Sequence, residues 1–138
     1  MKELDRRALA VRNTQSRFEG KPFDWTRAAT CIHLVRFHAR QMGHSVPTVP
    51  RFRSALTARR ILNDMGHDSL VSLMDAHFER IAPAFCRVGD VMALPGDGNF
   101  DAIVIRAGVS KWIGWHEDAP GCTVISADMS AAIGAWRL

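Results

Sequence analysis

Two residue types in this chain could carry hydrolytic or acyl-transfer chemistry. They are three cysteines (Cys31, Cys86, Cys122) and six histidines (His33, His38, His44, His67, His77, His116). Cys31 is the most suggestive, because it falls in the first turn of a predicted helix, beside Thr30. The helix dipole there favours a thiolate, which is how an activated cysteine is usually placed. Periodicity argues the other way. On a helical wheel Cys31 shares a face with Leu34, Val35 and Met42, with Ala28, Ile32 and Ala39 alongside, while His33, Arg36 and Arg40 fall on the opposite, solvated side. Free cysteine is among the most buried residue types, so the spacing alone assigns Cys31 to the core.

The other candidates form no constellation. None of the cysteines makes a CxxC pair, and three scattered thiols give no disulfide framework. His33 and His38 are five residues apart, whereas a helical zinc site needs ligands at i and i+4. No metal and no cofactor is expected.

Charge narrows the partners. The formal charge of +4 rests almost wholly on arginine, with Lys2, Lys21 and Lys111 as the lysines. Arginine suits carboxylate, phosphate and protein-interface contacts. Its densest patch, Arg51, Arg53, Arg59 and Arg60, is placed at the start of a helix and along it. No aromatic interleaving or recognition motif accompanies it, so nucleic acid is not the expected partner. No apolar run approaches a membrane span, so no membrane partner is expected either. The opening MKELDRRALAVRNTQSRF lacks the apolar core of a secretory signal, which leads one to expect folding in the cytoplasm.

The elements that must position these residues read as a single α+β domain spanning 1–138. A first helix is expected over residues 2 to about 16, with Leu4, Leu9 and Val11 as apolar positions. After the break at Glu19–Pro22, a central helix runs from about Arg27 to Met42, with Gly43 as its cap. Pro47 and Pro50 stiffen a loop over 44–52. A third helix is expected from Ser54 to Asn63 and a fourth, capped by Asp68 or Ser69, through His77. Beyond Pro83 the pattern becomes strand-like: Val91–Leu94, the turn PGDGN (95–99), the apolar run of FDAIVIRAG, Ser110–Trp115, Cys122–Ile125 and the closing AAIGAWRL. Trp112 and Trp115 are candidates for exposed anchors.

A cysteine-bearing helix, a strand led by Gly-Asp, a turn, and a strand closing on glycine form an order that resembles the NlpC-type papain-like cysteine peptidases. The resemblance is nearest to a branch associated with bacteriophage tail tips. It rests on PFDWTRAATCIHLVRFHARQMG, similar to a family pattern PFxWGxxDCxxF…G, on RVGDVMALPGDGNFDAIVIRAG, and on the terminal AWRL. Together these cover about Phe23 to Leu138. Aligned from Trp25 without gaps, the family's nucleophilic cysteine falls on Thr30 and the aspartate before it on Ala29. Cys31 becomes the following, inward-pointing residue. Counting back from Gly108 puts the family's histidine on Ala102, with Asp101 beside it.

The resemblance therefore implies a papain-like NlpC-type domain, N-terminal helices packed on a small C-terminal antiparallel sheet, whose dyad positions are Thr30 and Ala102. A threonine hydroxyl needs a base, and alanine supplies none. The implied role is a catalytically degenerate structural protein of a bacteriophage tail tip or baseplate, docked to other tail-tip or baseplate proteins in the virion and assembled in the host cytoplasm. The alternative is an active peptidoglycan cysteine endopeptidase using Cys31 and a displaced histidine, His116 being the best placed.

Overall fold

In a computed structural model, residues 2–96 and 100–138 are described; Asp97, Gly98 and Asn99 of the PGDGN turn lie outside them. Four helices, α1 (Glu3–Phe18), α2 (Cys31–Gln41), α3 (Ala55–Asp64) and α4 (Leu70–His77), precede the strands of the sheet. The strands are β1 (Glu79–Arg80), β2 (Val91–Leu94), β3 (Ala102–Gly108), β4 (Lys111–Gly114), β5 (Thr123–Ile125) and β6 (Gly134–Arg137). They form one sheet in the order β1-β6-β2-β3-β4-β5, antiparallel at every pairing. The α+β class and the packing of N-terminal helices on a C-terminal antiparallel sheet are thus as the sequence implied.

Strand alternation divides the core in two. Val91, Ala93, Ile103, Ile105, Ile113 and Trp136 face the helices and join Leu34, Val35 and Ala39 of α2, and Met42 at its C-cap, with Ala10, Val11 and Phe18 of α1. Met92, Val104, Trp112 and Ala135 face the other way, under Cys86, Ile81, Ile125 and Ala132. That second layer corrects the expectation for Trp112. It is only 1% exposed, because β4 pairs Trp112 with Arg106 and Ile125 and turns it beneath the segments that cover the far face.

Two helices differ in detail from their sequence patterns. On α1, Leu4 is 68% exposed and Leu9 38% exposed; the buried stripe is Arg7, Ala10, Val11, Thr14 and Phe18. A guanidinium and a hydroxyl stand where apolar side chains were sought. The central helix starts four residues late. Asp24 accepts from the Thr26 N–H at 2.8 Å, holding a 3-10 turn over Trp25–Arg27, and Ala28 turns left-handed at φ 55°. A bridge between Asp24 and Ala29 closes the reversal before Thr30 caps α2.

The polar groups buried beneath these layers are held by long-range partners. Asp90, fully buried, accepts from both Arg7 Nη atoms at 3.2 and 3.1 Å, from the Arg87 N–H at 2.7 Å and from the Leu138 N–H at 3.0 Å. Arg7 also donates to the Val88 and Leu138 carbonyls at 3.0 and 3.3 Å. The Gly-Asp that leads into β2 therefore clamps α1 to β6. Gly89 itself sits at φ +93°, with Arg7 and Met42 packed where a side chain would go.

Candidate functional site

An open groove of about 990 Å³ runs across the N-terminus of α2, the adjoining ends of β2 and β3, and the segment after β4. Thr30, Cys31, Ala102 and His116 all line it, so the four residues weighed from sequence share one depression. Among the described residues no hydrogen bond joins Thr30 or Cys31 to His116.

Thr30 is the N-cap of α2. Its Oγ1 accepts from the His33 N–H at 3.5 Å and lies 2.7 Å from His33 Nδ1, and the residue is 1% exposed. One hydroxyl thus satisfies an orphan helix donor and binds an imidazole one turn along. Helical periodicity puts His33 on a solvated side. Here the 44–53 loop folds back over α2, and Phe52 lies on the His33 ring with centroids 4.7 Å apart. Arg36 is half-buried under the same loop, donating to the Pro47 carbonyl at 3.3 Å. Only Arg40 of the three is exposed.

Cys31 opens α2 at the margin of the core, half-buried, while Leu34, Val35 and Met42 are fully buried. Two influences on its thiol compete. The helix terminus favours thiolate, but burial is the larger cause and pushes the Cys31 thiol up, only partly offset by the Ile103 backbone N–H. Burial wins. Cys86 and Cys122 are buried as well, with their thiols pushed up to about 11 and about 12, again chiefly by burial.

The base positions are no better placed. Ala102 opens β3 opposite Leu94, and alternation puts it on the face of Val104, away from Ile103 and the helices. His116 is exposed; its Nδ1 accepts the Asp118 N–H at 3.1 Å and stands 3.5 Å from the Asp118 carboxylate. Trp115 is half-buried, donating its indole N–H to the Lys21 carbonyl at 2.8 Å, with Phe18 and Phe23 edge-on to its ring. Among the described residues no three His, Cys, Asp or Glu side chains are grouped as metal ligands, and no helix is long and apolar enough to cross a membrane.

Periodicity missed a second histidine site. His38 is fully buried between α1 and the turn before β2, with Nδ1 2.9 Å from Thr14 Oγ1 and Nε2 2.8 Å from the Gly89 carbonyl. A carbonyl can only accept, so Nε2 carries the proton and Thr14 donates to Nδ1. Burial is the main reason its pKa falls to about 4.

Residues 3–138 match the family described as a domain of unknown function, DUF6950, and the chain belongs to that family. No curated protein matches it.

Proposed function

We propose that this DUF6950 protein is a non-catalytic structural component of a bacteriophage tail tip or baseplate, using an NlpC-type papain-like fold as a docking module for other tail proteins in the virion. The observation that carries this reading is the state of Thr30. At the position where the resemblance places a nucleophile, a buried hydroxyl is held by His33 and by the cap of α2. At the position of the base stands Ala102, on the far face of β3. A nucleophile and its base work as a unit, so losing both removes the chemistry. The groove retains aromatic walls for a partner: Phe23 is 46% exposed at its rim, backed by Trp25 and Trp115.

Mass spectrometry of purified particles tests the assembly role; the protein is expected among the tail components. Its absence from particles despite abundance in infected cells would refute that role. A parallel assay with peptidoglycan stem peptides tests the chemistry, and no hydrolysis above buffer is expected. The second reading, an active endopeptidase, is favoured by one observation, that Cys31 and His116 line a common groove. Turnover by the wild type that Cys31→Ala abolishes, with the fold intact, would establish it instead.

A further inference from the structure

A second cleft of about 410 Å³ lies on the other side of Thr30, where the 3-10 turn at Trp25–Arg27 and the loop before α3 meet α2. Its lining includes Arg27, Arg36, Arg51 and Arg53 and no carboxylate. We infer that this cleft binds a small phosphate-bearing anion, held by the guanidinium groups with the His33 Nε2–H as a neutral donor from its wall.

The tautomer of His33 follows from its neighbours. The buried Thr30 hydroxyl must place its one proton, and His33 Nδ1 at 2.7 Å is its partner, while the hydroxyl oxygen accepts from the His33 N–H. Nδ1 is then the acceptor and Nε2 carries the hydrogen. Nε2 has no protein acceptor among the described residues, and His33 lines the cleft. Phe52 lies against the ring and fixes its plane.

The arginines are similarly unspent. Arg51 and Arg53 are exposed and have no partner among the described residues. Arg27 reaches the Asp24 carboxylate only at 3.7 Å, and Arg36 uses one N–H on the Pro47 carbonyl. Four positive groups around one concavity repel one another until an anion enters. Guanidinium forks match phosphate oxygens in geometry as well as charge. The volume lies within the range of small-molecule sites. A duplex backbone would instead require basic groups spread along a track, and here they converge.

Inorganic pyrophosphate is the probe, titrated into the full chain at low ionic strength and followed by amide chemical shifts. Saturable shifts are expected at the backbone N–H groups of residues 26–28 and 51–53, weakening as sodium chloride is added. Arg51→Glu and Arg53→Glu should each weaken binding by about tenfold, the scale of one charge-assisted hydrogen bond. Arg12→Glu, an equal charge change on the exposed side of α1, should leave it unchanged. Absence of saturation would overturn the inference, as would equal weakening by Arg12→Glu. Tighter binding of a single-stranded oligonucleotide than of pyrophosphate at equal phosphate concentration would also overturn it, in favour of a nucleic-acid backbone. None of these outcomes depends on whether the larger groove docks a tail protein.

Discussion

Lowering the pH should destabilise this protein through His38. The ring is wholly enclosed, and its pKa falls from 6.5 to about 4, mainly by burial, with the charge of Arg7 acting in the same direction. Loss of a hydrogen bond is not the cause. If Nδ1 gained a proton, the Thr14 hydroxyl could accept it and donate to the Ala10 carbonyl, already 3.0 Å away. The sign follows from the lower folded value. Between pH 6.5 and about 4 the unfolded chain holds a proton at this site that the folded chain lacks, so stability falls as pH falls. Above 6.5 the full contribution is present. The gap from 6.5 to about 4, at about 1.4 kcal/mol per pH unit, is about 3 kcal/mol.

Equilibrium urea unfolding, read by tryptophan fluorescence from pH 7 to pH 4, measures this directly. His33 is also depressed by burial and then by Arg36, so its contribution must be separated. His38→Gln supplies the reference: its stability deficit relative to wild type should shrink by about 3 kcal/mol across that range. Asp75 does not intrude, because its carboxyl, held down to about 2 by Arg80 and then Trp136, titrates at lower pH. Parallel pH profiles for wild type and variant would refute the reasoning. If His38→Gln does not fold, an NMR titration of the His38 ring decides the matter, and a midpoint near 6.5 would be equally fatal.

The remaining expectations concern single contacts. Asp90→Ala leaves the buried Arg7 with only the exposed Glu3 carboxylate, 3.4 Å from its Nε, and should cost about 3 kcal/mol in urea unfolding. Cys31→Ala should cost about 1 kcal/mol, since a thiol-sized group is removed at the edge of the core; native Cys31 should also react with a thiol reagent more slowly than free cysteine, because burial opposes the thiolate. Gly121→Ala would set a Cβ 2.5 Å from the Gly20 carbonyl group, where the 20–21 segment exchanges hydrogen bonds with Cys122, and should destabilise by about 1–3 kcal/mol; an unchanged urea midpoint would contradict the close approach.

Much of the architecture was legible because it follows local patterns. β2, β3 and β6 are short strand-like runs in the sequence; Ser69 is legible as the cap of α4, and Ser54, expected as the start of the third helix, is the cap of α3, each accepting from the N–H three residues on. What escaped has no local signature. β1 is two exposed residues, Glu79 and Arg80, recruited only by pairing with β6. Trp112 could not be assigned to a face until β4 had neighbours. Arg7, Thr14 and His38 are polar residues buried because partners 83, 24 and 51 positions distant satisfy them. Hydropathy patterns cannot represent an exchange of that kind, since the residue that makes burial tolerable lies outside any window.

The candidate site was half legible for the same reason. Sequence placed Thr30 and Cys31 at a helix start and asked which of them could act. The decisive features are Thr30 as the cap instead of a residue within the first helical turn, and His33 within reach of its hydroxyl. The i, i+3 spacing of Thr30 and His33 is visible in the chain, and at a helix N-terminus it brings a cap side chain to the third helical residue. It could have been read as a pair. A helix counted from Arg27 obscures it, because Thr30 then falls inside the helix and His33 on its solvated side. Moving the helix start to Cys31 makes Thr30 a structural hydroxyl, and the returning 44–53 loop buries His33 against Phe52. That single boundary separates the two clefts: on one side a groove whose Thr30 hydroxyl is already engaged, on the other an imidazole edge that lines a cleft with four arginines.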